Sequence, residues 1–238
     1  MLRTPDENGF VALGIGAGPR YIGSDQTTWA VAPAAQFAVG ATVVRLTANY
    51  LALDLLERPD WSFGPAGILR FGRDETGDAE VDALPSIDPT IELGLDLSRN
   101  WNTGDYQRYT SVGISVLQDV GDSHGGWVAS AGFRKWVPAG RYGTLGLSLA
   151  TTYGSSDYTE TFFGITPAAS LQSGLASYQA GAGLRDARAA AIFIQPISPE
   201  WAVGAGLLYA RILGDAADSP VTRDRNQLYG GIGIVRFW

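Results

Sequence analysis

Residues 90–101 read Thr90-Ile91-Glu92-Leu93-Gly94-Leu95-Asp96-Leu97-Ser98-Arg99-Asn100-Trp101. Ile91, Leu93, Leu95 and Leu97 alternate with Glu92, Gly94, Asp96 and Ser98, a period of two. Successive strand side chains point to opposite faces, so one face is apolar and the other small or polar. Val112, Ile114 and Val116 repeat the pattern, as do Leu145, Leu147 and Leu149, and Val11, Leu13 and Ile15. No segment carries a 3.6-residue period of similar strength. The chain is read as all-β.

The second face decides the kind of β protein. A soluble sheet turns Lys, Glu and Thr to water, but here that face is mostly Gly, Ala and Ser. Glycine is depleted inside ordinary strands. A membrane barrel explains the pattern, with lipid against the apolar face and a crowded lumen against the small one. Trp29, Trp61, Trp101, Trp127, Trp136, Trp201 and Trp238 fall near strand ends, where an interfacial girdle is expected.

Composition excludes other classes. The 238 residues include 17 basic and 24 acidic side chains, a net charge of −7, with one histidine and no cysteine. Nucleic-acid binding needs a basic face that 17 scattered cations do not supply. Without cysteine there are no disulfides, thiol nucleophiles or cysteine-ligated metals. No apolar stretch is long enough for a spanning helix. Residues 1–8, Met-Leu-Arg-Thr-Pro-Asp-Glu-Asn, lack the apolar core of a signal peptide, leaving a cytoplasmic chain or one whose presequence has been removed.

Eleven strands are predicted: 10–18, 29–39, 42–56, 61–73, 90–100, 109–119, 127–136, 144–163, 187–197, 201–213 and 227–238. Single-chain bacterial barrels are even-numbered, with short periplasmic turns and longer outer loops. The short connections (around Gly40, 101–106, 139–142 and 198–200) and the long ones (74–89, around Ser173 and 214–226) alternate only if 42–56 is two short strands bent near 47–50. The expected fold is therefore a closed antiparallel transmembrane barrel of twelve strands, one domain over residues 1–238.

Three motifs stand outside the strands. Gly18-Pro19-Arg20-Tyr21-Ile22-Gly23-Ser24-Asp25 follows the first strand; Phe162-Phe163-Gly164-Ile165 precedes Ser173-Gly174-Leu175 and Tyr178; and Tyr209-Ala210-Arg211-Ile212-Leu213-Gly214-Asp215-Ala216-Ala217-Asp218-Ser219-Pro220 lies near the end. In these residues and their order the chain resembles the MipA/OmpV family of Gram-negative outer-membrane proteins, over essentially its whole length. The resemblance singles out Tyr21, Gly23, Ser24, Asp25, Ser173, Gly174, Leu175, Asp215, Asp218, Ser219 and Pro220. It implies a bacterial outer-membrane location, a cleaved presequence, and contact with lipid bilayer, lipopolysaccharide and the barrel-assembly machinery. Gly233, Phe237 and Trp238 are the expected assembly signal, with Arg236 where the usual ending has an aromatic residue. The family's namesake bridges a murein hydrolase and a murein synthase, so the resemblance implies a non-enzymatic scaffold whose partners are periplasmic murein enzymes or another outer-membrane protein. A narrow, porin-like channel is the alternative.

Candidate chemistry is sparse. His124, in Asp122-Ser123-His124-Gly125-Gly126, lacks a Gly-x-Ser-x-Gly partner and reads as a loop residue. The acidic run 74–82 lacks a calcium-loop frame and reads as a solvated loop; Asp215 and Asp218 read as turn formers. Neither cofactor nor metal is expected. If Leu93 and Leu95 face lipid, Glu92 and Asp96 face the lumen, with Arg45, Arg70 and Arg134 as inward partners. Two readings stay open: a charged constriction that selects solutes, or an ion-pair network that plugs the lumen. The segment 166–183 could fold inward as a plug or outward as a contact surface.

Overall fold

A computed structural model describes residues 9–105 and 107–238; the presequence reading of residues 1–8 lies outside them. The strands are β1 (Phe10–Pro19), β2 (Thr27–Val39), β3 (Thr42–Thr47), β4 (Tyr50–Asp54), β5 (Trp61–Arg70), β6 (Thr90–Trp101), β7 (Thr110–Asp119), β8 (Trp127–Ala139), β9 (Gly143–Gly154), β10 (Gly183–Pro196), β11 (Trp201–Ile212) and β12 (Asn226–Phe237). Each pairs antiparallel with its sequence neighbours, and β1 closes on β12. This is the twelve-strand barrel, and the 42–56 segment is divided in two at Ala48 and Asn49.

Register fixes the faces. Leu13 lies beside Ile234 and Pro33, and Leu95 beside Pro65 and Val116; this apolar set is largely exposed to the bilayer side. Gly14, Glu92, Asp96, Ser115 and Ser148 are on the opposite, luminal face. One tryptophan departs from the expected girdle. Trp136 is on the luminal parity of β8, its ring over Gly146 of β9, because the residue opposite offers no side chain to compete for that space.

Four short helices sit in the long connections: α1 (Ala79–Asp82), α2 (Ser156–Phe163), α3 (Pro167–Ser173) and α4 (Gly214–Asp218). The strand expected over 144–163 ends at Gly154, and α2 takes over. Ser155 caps α2 by accepting from the Tyr158 amide, and Asp157 stands in the first turn, a favourable N-terminal charge. The 61–73 strand likewise ends at Arg70, whereas 187–197 begins earlier, at Gly183, with a bulge between Leu184 and Asp186.

One wall is incomplete. β3 has six residues and β4 five, so their hairpin stops short of the end reached by the other strands. The partners of β3 on β2 begin at Ala34, and residues 27–33 of β2 pair only with β1. Among the described residues no strand lies on their other side.

Candidate functional site

The long connections converge into a cap over one barrel mouth. Tyr158, Phe162 and Phe163 of α2 pack with Val128, Ile212, Ala216, Ala217, Ile87 and Ala180. A second cluster joins Leu84, Ile165, Ala169, Leu175 and Val221. Tyr158 and Phe163 are fully buried, so the cap is a packed core and not a set of solvated loops. The segment 166–183 belongs to it through Ala169, Leu175 and Ala180, which answers plug against contact surface with a third arrangement: it roofs the mouth.

The three sequence motifs meet in this cap. Tyr21 donates its hydroxyl to the Val221 carbonyl at 3.2 Å, and burial pushes that hydroxyl's pKa up to about 12. Gly23 has φ of +103°, its amide donates to Gln227 Oε1, and Thr222 Oγ1 stands 2.9 Å from where a Cβ would be. A side chain there meets both a left-handed backbone and a collision. Gln227 also donates to the Ser24 carbonyl. Ser219 donates to the Phe163 carbonyl at 2.6 Å, Tyr178 to the Asp215 carbonyl, and the Gly181 amide to Asp215 Oδ2. Ser173 caps the turn into Leu175, and Gly174 ends α3 in the left-handed region. Asp25 is exposed, Asp218 pairs with Arg225 at 2.8 Å, and Pro220 leads into buried Val221. Residues 34 to 204 positions apart thus hold one another, a relation no local pattern reveals.

Three carboxylates of the acidic run, Asp78, Glu80 and Asp82, are held by internal partners, while Asp74 and Glu75 are exposed as a solvated loop expects. Asp78 caps α1 and receives Arg223 at 2.7 Å; that hydrogen bond holds its carboxyl below the ordinary aspartate value. Asp82 accepts from Thr76 and Gly77, and the Thr76 bond lowers its pKa too. Arg20 reaches the Thr76 carbonyl and Gln26 the Gly77 carbonyl, tying this loop to the start of β2.

Directly beneath the cap is a polar layer. Arg70 forms a bidentate pair with Glu92 at 2.6 and 2.7 Å, and Glu92 is fully buried. His124 contacts the same carboxylate through Nε2 at 3.0 Å, while its Nδ1 accepts from the Gly126 amide. An accepting Nδ1 makes Nε2 the protonated nitrogen, a neutral imidazole donating to Glu92. Its ring lies edge-on to Tyr158 at 5.1 Å, and Arg70 and Arg185 stack over Tyr158. Arg185 bonds the Tyr158 hydroxyl and shares Asp186 with Arg188. His124 was read as a loop residue, and its pairing with a strand carboxylate 32 positions away carries no sequence signal.

The other expected lumen charges separate. Asp96 accepts from Tyr50 at 2.9 Å. Arg45 pairs with Asp54 at 3.1 Å, not with Glu92 or Asp96. Arg134 faces the lumen exposed, with no ion pair among the described residues. Glu92 is a member of a saturated network and presents no free carboxylate to a passing ion.

At the opposite end β1 and β12 close the barrel, with Phe10 beside Phe237 at 6.3 Å and Gly14 opposite Gly233. Trp238 hydrogen-bonds Gly9. Arg236, in place of the usual aromatic, stacks on Trp201 at 5.6 Å, so a cation–π contact occupies that girdle position.

A family model described as MltA-interacting protein MipA matches residues 11–238. "Putative outer membrane protein YiaT" of Escherichia coli (strain K12) is 26% identical over 226 residues, covering 91% of this chain and 87% of that protein. Among solved structures, the NanC porin superposes with a TM-score of 0.53 at 10% identity, covering 93% of this chain and 98% of that one. An outer-membrane channel from Pseudomonas putida F1 gives 0.48 at 9% identity, with 97% and 95% covered.

Proposed function

Because the chain belongs to the MltA-interacting protein MipA family of outer-membrane barrels, we propose that it is a non-enzymatic scaffold that docks a periplasmic murein enzyme. The observation that carries this reading is the seal at the outer mouth: Tyr158 and Phe163 are completely buried above a layer of paired charges. A barrel closed along its axis works through its surfaces. The face available to a periplasmic partner is the ring of short turns at 40–41, 55–60, 140–142 and 197–200. The one histidine supports the non-enzymatic reading, since its ring nitrogens meet Glu92 and the Gly126 amide and not the Ser123 hydroxyl, which donates to the Asp88 carbonyl.

A narrow channel is the second reading. Arg134 and Ile192 both have luminal parity, and Ile192 is 45% exposed, so space remains below the cap. Planar-bilayer recording of the refolded protein separates the two. The scaffold reading expects a folded, heat-modifiable barrel that is electrically silent and retains a purified murein hydrolase on a surface. Discrete, ion-selective steps with no retained hydrolase overturn it in favour of the channel.

A further inference from the structure

The unfinished wall between β2 and β5 is bounded on every side. Its long side is residues 27–33 of β2, and its floor is the Ala48–Asn49 turn, where the Ala48 amide meets the Pro33 carbonyl and Asn49 clasps Leu69. Phe71, 66% exposed, stands on the far side. The roof is the 74–82 loop, held across by Arg20 and Gln26 and pinned from behind by Arg223. Two strand positions are missing between β2 and β5, so the opening is at most about 14 Å wide and about 20 Å along β2, at ordinary strand spacing and rise.

Exposure confirms that nothing described covers it. Trp29 and Val31 point outward and are 72% and 64% exposed; Ala30 and Ala32, on the luminal parity, are exposed as well. With no strand paired to their other edge among the described residues, both faces of this stretch are left uncovered. Because the Pro33 carbonyl faces β3, strand alternation turns the N–H and C=O of Val31 and Trp29 into the opening. Pro33 itself brings no N–H, which suits the start of an unpaired edge.

Backbone groups left unpaired in hydrocarbon cost several kcal/mol each, so where this edge runs from the interface at Trp29 into the apolar layer it is tolerated only beside water or another polar partner. Outside the opening are lipid chains. Inside, the nearer wall is small and apolar (Ala12, Ala34, Gly14), with Tyr50, Ile68, Ala52, Ala66 and Leu117 clustered beside the hairpin. Beyond them are Arg45, Asp96 and Arg134. The surroundings therefore match a molecule with one apolar chain and a hydrogen-bonding head.

We propose that the opening between β2 and β5 is a lateral portal through which a single-chain amphiphile passes between the outer leaflet and the lumen, its head meeting the free backbone groups of Trp29 and Val31. The portal does not depend on the scaffold reading and needs no axial conductance.

The absence of cysteine makes the test clean. Single variants Ala30→Cys, Val31→Cys, Ser148→Cys and Ala190→Cys of the full chain carry an environment-sensitive fluorophore in vesicles, each checked for heat-modifiable folding. Brominated-chain phosphatidylcholine should quench residue 30 comparably to lipid-facing residue 31, and leave luminal 148 and 190 bright. An ω-bromo fatty acid should quench 190 and its cross-strand partner 148 in addition, because it enters. A residue 30 as bright as 148 with the brominated phosphatidylcholine overturns the portal, as do residues 148 and 190 untouched by the fatty acid. So does a 30–30 disulfide formed between two molecules, which makes the edge a seat for a second copy.

Discussion

The lumen wall has two halves built on opposite principles. From β3 to the upper part of β10 it is held by charge, with Arg70 on Glu92, Arg45 on Asp54, Tyr50 on Asp96 and Arg185 and Arg188 on Asp186. From β11 through β12 and β1 to β2 it is held by close backbone approach, with Gly204, Gly206, Gly231, Gly233, Gly14 and Gly16 on the inner face. The strand period is the same in both. Inner glycines occur in both, Gly64 and Gly94 among them; what differs is that the first half also carries inner charges that must be neutralised and the second carries none. The charged half is intolerant of losing one partner; at the seam the inner face is intolerant of gaining an atom.

The largest effect should come from the charged half. Glu92→Gln leaves the Arg70 guanidinium buried beside a neutral amide, and breaking one side of such a pair costs about 3–5 kcal/mol. The urea midpoint of the heat-modifiable band should fall accordingly; an unchanged midpoint would show the network to be dispensable. Second comes the seam. A Cβ on Gly16 would lie 2.7 Å from the Gly230 carbonyl oxygen, so Gly16→Val should cost about 1–3 kcal/mol as overpacking and slow closure on refolding. If Gly16→Val closes as fast as the parent while Glu92→Gln does not, only the charged half constrains the barrel.

Gly23→Ala tests the cap apart from the wall. The left-handed backbone adds about 1–2 kcal/mol of strain, and Thr222 adds contact. Trypsin should then cut faster at Arg223 and Arg225 while the barrel midpoint holds. The smallest effect is the acid response of the clasp between Asp78 and Arg223. The Asp78 pKa is lowered in the fold, so its contribution is fully present above the ordinary aspartate value of about 3.9 and is lost as pH falls through the folded value. Being partly exposed, the pair is worth about 1 kcal/mol or less. Amide exchange of residues 76–82 should rise below that value and stay flat above it.

Much of this was legible in the chain. Period two marked the strands around Leu13, Leu95, Ile114 and Leu147, every observed strand overlaps an expected one, and the alternation of short and long connections located the break at Ala48 and Asn49. The luminal parity of Glu92 and Asp96 followed from Leu93 and Leu95. Helix α2 carried a readable signal in Ser155 and Asp157, hidden because Tyr158, Phe162 and Phe163 continue the apolar run of β9. Other features had none. Trp136 turns inward for the sake of Gly146, and His124 finds Glu92, through contacts set only when the barrel closes. Residues 29–33 read as part of an ordinary strand, and what is unusual about them is the absence of a neighbour among the described residues.

The short hairpin also bears on the bilayer. A spanning strand needs about 9–11 residues, and β3 and β4 have six and five. The apolar height of the barrel is thus uneven around its circumference, full at β6 and β9 and reduced at β3–β4. Annular lipids meet this mismatch by thinning on the low side or by letting the barrel lean. Either response ties the protein's orientation to the thickness of the membrane that holds it.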